Sequence, residues 1–315
     1  MTKKRIIIDC DPGYDDAVAL LLAAGNPDIE VLAITTVAGN QTIEKVTKNA
    51  LRIAKLCGME NVPVAMGASR PLLRDQVVVA ANIHGESGLD GTTLPETDFK
   101  VDPRHAAQMI IDIVMSEPEK TVTLVPIGPL TNIALAARME PRIVERVKEV
   151  VLMGGGYHIG NIRPMAEFNI ENDPEAAHIV FEEKWKIVMV GLDLTYQALA
   201  TDEVKARIAE MKTPVGQFLT DVLTQFSMTY KKSKGFDEPP VHDPCAVAYV
   251  IDPDCIEVRQ APVHVEYRGM YTNGMTVTDL RKKAPEDCHT FVATKLDHKR
   301  FWQLIEDAVK NLGNK

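Results

Sequence analysis

The sequence has 315 residues, of which 45% are hydrophobic and 25% are charged, proportions that are typical of a globular protein and exclude a disordered or fibrous chain. The chain has 35 Lys and Arg residues and 44 Asp and Glu residues, which gives a net charge of −9. This charge disfavours nucleic acid and anionic membranes as partners. No apolar stretch approaches the ~18 residues of a membrane span, and five widely spaced cysteines without a CxxC pair indicate reduced thiols. We therefore expect a cytoplasmic protein.

Short apolar runs alternate with longer amphipathic runs along the first two thirds of the chain. They predict strands over residues 5–11, 30–37, 121–126, 149–153 and 186–193, and helices over residues 15–25, 42–57 and 174–183, with another helix beginning near Leu130. The last third is less regular and predicts helices over residues 213–232, 244–251 and 298–312 and strands over residues 263–267 and 290–295.

The β-then-α rhythm favours a mostly parallel sheet covered by helices. No Pro- or Ser-rich linker separates the regions of the chain. We therefore predict a single domain over residues 1–315, with an α/β fold built on an open, mostly parallel, Rossmann-like sheet and helices on both faces.

Four carboxylates fall within eight residues at the exit of the first predicted strand: Asp9, Asp11, Asp15 and Asp16. Ligands of open α/β sheets bind outside the carboxyl ends of the strands, which is where this segment lies. Crowded carboxylates repel one another unless a cation or a shared proton compensates, and Ca²⁺ and Mg²⁺ prefer oxygen ligands. Helix capping would explain Asp15 and Asp16 but not Asp9 and Asp11, so the cluster indicates a functional site.

Four further polar clusters lie at predicted strand ends or in loops, around Asn40, His84, Asn169 and Asp243. Each has a simpler interpretation as a turn cap, a solvated loop residue or a helix N-cap before proline. They indicate a functional site only when all four clusters are considered together. The sequence contains no P-loop, dinucleotide-binding, GxSxG or zinc-binding pattern.

Taken together, these segments resemble the nucleoside hydrolase family, most closely its inosine–uridine preferring members. The resemblance covers nearly the whole chain and rests on IIIDCDPGYDDAVAL, AITTVAGNQT, NIHGESGLDG, TLVPIGPLTNIA, VVLMGGGY, AEFNIENDPEAA, GLDLTYQA and VHDPCAVAY. It implies hydrolysis of the N-glycosidic bond of purine and pyrimidine ribonucleosides and a role in nucleoside salvage. It also implies one bound Ca²⁺ per subunit and a homo-oligomer, either a tetramer or a dimer.

The resemblance assigns roles to individual residues. The Ca²⁺ ligands would be the side chains of Asp11, Asp16 and Asp243 and the backbone carbonyl of Ile127. Asp11 would also be the general base, and His242 would protonate the leaving base. The nucleoside would be bound by Asp15, Asn40, His84, Met153, Asn161, Glu167, Phe168, Asn169, Tyr230 and Lys234, with His84 on a mobile loop. Two residues depart from the family pattern: Lys234 replaces an Arg, and Phe226 stands where a Tyr can occur.

Two alternatives stay open at this level. Asp9-Cys10-Asp11 imitates the DxD strand end of haloacid-dehalogenase-type phosphohydrolases, in which Asp9 would be the nucleophile. The other alternative is a non-catalytic nucleoside- or sugar-binding protein. The Glu-Phe-Asn segment and the Asp15-Asp16 pair argue against the first, and the presence of every implied base, acid and metal ligand argues against the second.

Overall fold

The computed structural model describes residues 3–313. Its strands are β1 (Lys4–Cys10), β2 (Ile29–Thr36), β3 (Val64–Met66), β4 (Val122–Pro126), β5 (Glu149–Met153), β6 (Ile187–Val190), β7 (Ile256–Gln260), β8 (Val263–Glu266), β9 (Met275–Thr278) and β10 (Thr290–Leu296). Its helices are α1 (Tyr14–Gly25), α2 (Ile43–Leu56), α3 (Ala81–His84), α4 (Ala106–Ser116), α5 (Thr131–Met139), α6 (Ile143–Arg146), α7 (Phe168–Asn172), α8 (Pro174–Glu182), α9 (Leu192–Thr195), α10 (Asp202–Ala209), α11 (Pro214–Lys234), α12 (Pro244–Ile251) and α13 (His298–Gly313), with a 3₁₀ turn at Pro253–Cys255. None of the described helices combines the length and the apolar character that a bilayer crossing requires.

The main sheet has the strand order β3-β2-β1-β4-β5-β6-β10-β7. Neighbouring strands are parallel from β3 to β10, and the edge strand β7 pairs with β10 in the antiparallel direction. β8 and β9 form a separate antiparallel hairpin. The predicted open, mostly parallel α/β sheet is confirmed. The predicted domain extent, residues 1–315, includes termini outside the described residues and stays a prediction.

Both faces of β1 are buried. Ile6 and Ile8 belong to a core that includes residues of α1, α2, α11, α12 and α13, whereas Ile7 belongs to a second core with α4, α5, α6 and α8. Successive strand residues point to opposite faces of a sheet, so the two cores lie on its two sides. This burial on both sides explains why β1 is a continuous apolar run in the sequence. Because each core includes several helices, the prediction of helices on both faces is confirmed.

A crevice opens where the strand order changes direction, between β1 and β4. From β1 the sheet continues to β2 and β3 on one side, and from β4 it continues to β5 and β6 on the other. Ligands of open α/β sheets bind at such a switch point, outside the carboxyl ends of the strands. The pairs Cys10–Thr36 and Asp9–Pro126 place the ends of β1, β2 and β4 at one level. The polar residues that follow these strands therefore meet at one edge.

The structure differs from the predicted elements in a few places. The strand predicted over residues 186–193 ends at Val190, because the Gly191 carbonyl accepts two amide hydrogen bonds that begin α9. The segment around His84 was predicted as a loop but forms the helical turn α3, in which the His84 amide donates to the Ala80 carbonyl. Among the described elements, the strands β3, β7 and β9 and the helices α4, α6, α7, α9 and α10 were not predicted. β3 has only three residues, too few for a periodic pattern.

Glu171 of α7 joins segments that border the crevice. Its Oε1 atom accepts hydrogen bonds from Arg163 Nη2 at 2.8 Å and Nε at 3.0 Å, and lies 3.3 Å from Arg74 Nη1. Arg74 also donates to Asn273 Oδ1, in the β8–β9 turn, at 3.0 Å. The Glu171 side chain is only 4% exposed. This buried carboxylate therefore ties the loops before α3 and α7 to the hairpin.

We expect Glu171→Gln to lower the free energy of unfolding by about 1.5–3 kcal/mol, because the hydrogen bonds that it weakens are charge-assisted. Denaturant unfolding followed by circular dichroism measures this loss. The matched control is Glu182→Gln, since the Glu182 side chain is 47% exposed and lies 3.2 Å from His264. The control should change stability by less than about 0.5 kcal/mol. Equal losses in the two variants would contradict the role of Glu171.

Candidate functional site

A cavity opens at the switch point, between the ends of β1, β2, β4 and β5 and the end of α11. The predicted site residues that line it are Asp15, Asn40, His84, Ile127, Met153, Asn161, Glu167, Phe168, Asn169, Tyr230, Lys234, His242 and Asp243. Asp11 and Asp16 are buried behind Asn40, to which both are hydrogen-bonded. The structure therefore brings all the predicted residues to one place.

The local fold of the first βα unit positions Asp16. Its Oδ1 accepts the Asp11 amide at 3.0 Å, and its Oδ2 accepts the Gly13 amide and the Asn40 Nδ2 group, each at 3.0 Å. Asp16 is the third residue of α1, so its side chain folds back over the start of the helix, where the macrodipole favours an anion. Carboxylate oxygens of Asp15, Asp16 and Asp243 lie within 4.8 Å of one another.

The two carboxylate oxygens of Asp11 differ, because one accepts a hydrogen bond and the other accepts none from the described residues. Its Oδ2 accepts the Asn40 amide at 2.6 Å, whereas its Oδ1 is buried without a hydrogen-bond partner among the described residues. A Cβ atom at Gly39 would come within 2.1 Å of Oδ2, and one at Gly128 within 2.6 Å of Oδ1. Only glycine at these two positions lets the carboxylate sit so close to the backbone. The unpartnered oxygen marks a position where a ligand can be accepted.

The acidic side chains repel one another. Burial is the largest cause that raises the pKa of Asp11 and Asp16, and it raises the pKa of Asp15 to about 8. The negative charge of Asp16 is the next cause for both Asp11 and Asp15, and that of Asp15 is the next cause for Asp243, whose pKa is also raised chiefly by burial. A cation relieves such repulsion. Because the donors are all oxygens, the group fits a hard divalent metal ion.

Glu167 and Asn169 are held by backbone groups. Glu167 caps α7 by accepting the amides of Asn169 at 2.9 Å and Ile170 at 3.2 Å, and it also accepts the Gly155 amide at 3.0 Å. Burial raises the pKa of Glu167 to about 7. Asn169 Nδ2 donates to the Ile127 carbonyl at 2.9 Å. These contacts order two polar side chains at the cavity wall before any ligand enters.

His242 is bonded at both ring nitrogens. Its Nδ1 lies 2.7 Å from Thr195 Oγ1, and its Nε2 lies 3.1 Å from the Tyr230 hydroxyl. Burial, followed by the charge of Lys234, lowers the pKa of His242 to about 3. The ring is therefore neutral at pH 7. Burial has this effect because it disfavours the charged imidazolium.

His84 is also buried and neutral. Its Nδ1 accepts the Tyr14 amide at 3.1 Å, and burial lowers its pKa to about 3. A Cβ atom at Gly13 would lie 2.4 Å from this ring. Lys234 ends α11 at the mouth of the cavity, where its Nζ donates to the Asn161 carbonyl at 2.7 Å. α3 and α11 are neighbours in the cavity wall, where the ring centroids of His84 and Phe226 lie 5.9 Å apart.

Six residues line the cavity that were not among the predicted site residues: Val79, Ala80, Asn82, Ile83, Ile162 and Phe226. Most are apolar, and an apolar residue carries no chemical signal that separates a pocket wall from a core position. Asn82 lies within the quoted segment NIHGESGLDG, and Phe226 was singled out as a departure from the family pattern. Those two signals could have found them.

Asp9 does not line the cavity. Its Oδ1 accepts hydrogen bonds from Thr35 Oγ1 at 2.6 Å and Asn132 Nδ2 at 2.8 Å, and burial raises its pKa to about 7. A nucleophile needs an approach path to its substrate, and the carboxylate is enclosed in the sheet edge instead. The phosphohydrolase alternative is therefore not supported.

Comparison with known proteins identifies the family. The model of the inosine-uridine preferring nucleoside hydrolase family matches residues 6–303. An inosine-uridine preferring nucleoside hydrolase from Crithidia fasciculata is 56% identical over 312 residues, 99% of each chain. A second one, from Leishmania major, is 55% identical over 312 residues, which again make up 99% of each chain. The solved structure of a purine-preferring ribonucleoside hydrolase from Gardnerella vaginalis matches with a TM-score of 0.92 and 33% identity, covering 98% of this chain and 99% of that one.

These matches confirm the predicted family, fold class and enzyme class. They extend over almost the entire chain, so they include the strand ends that form the cavity as well as the sheet itself. On this evidence the chain belongs to the inosine-uridine preferring nucleoside hydrolases, a family of enzymes.

Proposed function

We propose that the cavity binds purine and pyrimidine ribonucleosides, such as inosine and uridine, and that the protein hydrolyses their N-glycosidic bond to ribose and free base. The observation that carries the proposal is the meeting of buried carboxylates, sugar-binding residues and neutral histidines in one cavity. The acidic wall favours an uncharged nucleoside over a nucleotide, because a phosphate would be repelled. We also propose a cytoplasmic homo-oligomer, as the family resemblance and the cysteine spacing imply.

One Ca²⁺ ion would be held by the carboxylates of Asp11, Asp16 and Asp243 and the carbonyl of Ile127. The unpartnered Asp11 oxygen, the like charges around it and the neighbouring Ile127-Gly128 backbone support this set. When bound, such an ion lowers the pKa of a water molecule and so makes a nucleophile available at neutral pH.

Asp11 would take the proton of the attacking water. Its Oδ1 has no hydrogen-bond partner in the described chain, so it can accept one. Attack at the anomeric carbon passes through a state with oxocarbenium character. The carboxylates of Asp15 and Glu167 would stabilise the positive charge that develops on the sugar.

The ribose would be gripped through its hydroxyls by Asp15, Asn40, Glu167 and Asn169. Asn40 and Asn169 are ordered by hydrogen bonds to the strand-end segments, which fixes the sugar relative to the carboxylates. Hydrogen bonds to substrate groups that are remote from the scissile bond supply binding energy that can stabilise the transition state. His242 and Tyr230, at the other end of the cavity, would serve the departing base.

Incubation with inosine and with uridine, followed by an assay for free ribose, tests the proposed function. Release of ribose from both is expected. A non-catalytic binding protein would bind the nucleosides and release no ribose. A phosphohydrolase would release phosphate from phosphate monoesters and leave the nucleosides intact.

In crystals grown with calcium, we expect an ion at Asp11, Asp16, Asp243 and the Ile127 carbonyl, with metal–oxygen distances of ~2.3–2.6 Å. The reason is that the site offers several oxygen donors and uncompensated negative charge. Anomalous scattering identifies the ion. A well-ordered structure with no ion between Asp11 and Asp243, or with an ion bound by Asp15 in place of Asp11, would refute the assignment.

Asp11→Asn should fold normally and lose more than ~10²–10⁴-fold in turnover, because it removes the general base and weakens a metal ligand. The matched control is Asp9→Asn, two residues earlier in the chain, whose carboxylate is hydrogen-bonded to Thr35 and Asn132 and not to Asn40. The control should keep most of its turnover, whereas the phosphohydrolase alternative expects it to be inactive. Turnover above about a tenth of wild type in Asp11→Asn, a loss of only ~1.4 kcal/mol, would rule Asp11 out as the base.

His242→Ala should reduce inosine hydrolysis by ~10²-fold or more and uridine hydrolysis much less. A purine leaves best when a ring nitrogen receives a proton or a hydrogen bond, which the N–H of neutral His242 can donate, whereas uracil has no equally basic ring nitrogen. The measurement is kcat for both nucleosides at saturating calcium. If His242 only orients Asp243, calcium affinity falls and both substrates lose rate equally, which would defeat its role as an acid for purines.

A further inference from the structure

The three glycines that follow β5, residues 154–156, form a turn that contacts Glu167. The Gly155 amide donates to Glu167 Oε2 at 3.0 Å, and the same oxygen accepts the Ile170 amide at 3.2 Å. The other oxygen, Oε1, accepts the Asn169 amide at 2.9 Å. A carboxylate oxygen has about two lone pairs. The two amides therefore occupy Oε2, and a ligand hydroxyl in the cavity is left to bond to Oε1.

Gly155 has a conformation that suits glycine alone. Its φ is +74°, in the left-handed region, and a Cβ atom there would lie 2.7 Å from Thr276 Oγ1 and 3.1 Å from Met189 Sδ. Its carbonyl accepts the Leu192 amide at 2.8 Å. Consecutive glycines have large conformational freedom. The turn therefore needs fixed contacts on both sides if its amide is to keep one direction.

Thr276 of β9 supplies the contact on the side opposite Glu167. Its Oγ1 accepts the Gly156 amide at 2.9 Å and donates to the Gly156 carbonyl at 2.8 Å. Gly156 is buried, and Thr276 is only 1% exposed. Buried backbone groups require hydrogen-bond partners. One hydroxyl thus satisfies both polar backbone groups of Gly156, although Thr276 is not among the residues that line the cavity.

The β8–β9 hairpin packs against both sides of the contact between the glycine turn and Glu167. Through Thr276 it holds the turn. Beside α7, a Cβ atom at Gly274 would lie 2.9 Å from Glu171 Cα and 3.1 Å from the Cβ of Ala166, the residue before Glu167. The hairpin is separate from the main sheet. It therefore acts as a clamp that fixes the turn and α7 relative to each other.

The bond from Gly155 supports both roles that the proposed reaction gives Glu167. The first role is to accept a hydrogen bond from a ribose hydroxyl, which depends on the position of Oε1. The second is to stabilise positive charge on the sugar, which requires an ionised carboxylate. Burial raises the pKa of Glu167 to about 7, and backbone amides, that of Gly155 among them, act against this rise. Loss of the bond would therefore weaken both roles.

We propose that Thr276 is a positioning residue: by bonding both backbone groups of Gly156, its hydroxyl holds the Gly155 amide on Glu167 and so fixes that carboxylate relative to the ribose. The proposal rests on the proposed function, since it concerns how the ribose is bound. Thr276 acts through the glycine turn and not by touching the substrate.

The experiment compares two substitutions at one position. Thr276→Val removes the hydroxyl and keeps the shape of the side chain, whereas Thr276→Ser keeps the hydroxyl. We expect kcat/KM for inosine to fall by about 10- to 100-fold in Thr276→Val, because a displacement of about 1 Å can cost up to about 10²-fold. Thr276→Ser should stay close to the wild type. Equal losses in the two variants would overturn the proposal.

The matched control is Thr278→Val, on the same strand. The Thr278 hydroxyl donates to the Thr276 carbonyl at 3.2 Å rather than to the glycine turn. This control should keep the wild-type kcat/KM. If it loses as much as Thr276→Val, the cause is a general loosening of the hairpin, and the proposal is wrong.

A double-variant cycle with Glu167→Gln tests whether Thr276 acts through Glu167. Changes that act through one group are non-additive, whereas independent changes add. Thr276→Val should therefore lower kcat/KM much less in the Glu167→Gln background than in the wild type. The same fold-loss in both backgrounds would contradict the proposal.

Amide hydrogen exchange gives a readout that does not depend on activity. The Gly155 and Gly156 amides are hydrogen-bonded in the wild type, so they should be protected, and both should lose protection in Thr276→Val. Unchanged protection of Gly155 overturns the proposal even when the protein hydrolyses inosine. If wild-type protein releases no ribose from inosine, the proposed function fails and this role of Thr276 fails with it.

Discussion

The burial of several like-charged carboxylates at one point is the constraint on which the site depends. Asp11, Asp16 and Asp243 each have a raised pKa, because they are shielded from water and face one another. An ionised group inside a protein is costly unless it is paired or hydrogen-bonded. Backbone amides and the Asn40 side chain satisfy part of this demand. Asp11 Oδ1 receives no hydrogen bond from the described residues, so the charge of this carboxylate is only partly compensated by the protein.

The strand ends make this burial feasible. β1, β2 and β4 end level with one another, so the segments that follow them crowd around the Asp11 carboxylate. Gly39 and Gly128 belong to these segments, and any side chain there would occupy the space of the carboxylate oxygens. The parallel sheet therefore does more than support the site: its switch point fixes how closely acid and backbone approach. Catalytic groups on such rigid elements are held more precisely than groups on loops.

The two ends of the cavity differ in charge, and the difference suits the proposed reaction. The sugar end contains buried acids, which favour a developing positive charge on the ribose. The base end contains neutral His84 and His242 beside Phe226 and Tyr230. A departing base carries away an electron pair and needs a donor rather than a negative charge. The acidic end comes mainly from strand ends and the base end mainly from α3 and α11, and the two ends are joined by the adjacent residues His242 and Asp243 and by the hydrogen bond from the Tyr14 amide to His84.

Much of the fold and the acidic part of the site could be predicted from the sequence, because the relevant signals are local. The apolar run of β1 and the acids that follow it lie within one strand–turn–helix unit, so their spacing alone places Asp11, Asp15 and Asp16 at the end of a strand. Short elements such as β3 were missed, since three residues show no periodicity. The roles of distant residues such as Glu167 came from the family resemblance.

Only the tertiary structure decided the protonation and the partners of these groups. Asp9 and Asp11 look equivalent in the sequence, and each keeps one buried oxygen without a hydrogen-bond partner among the described residues. They differ in the partners of the other oxygen, which are Thr35 and Asn132 for Asp9 and the Asn40 amide for Asp11. His242 is neutral because segments far away in the chain bury it. Tyr196 lies in the quoted segment GLDLTYQA, but its ring contact with His242 exists only because this segment packs beside the one that precedes α12. Burial and hydrogen bonding depend on which distant segments meet, and that is a property of the packed fold.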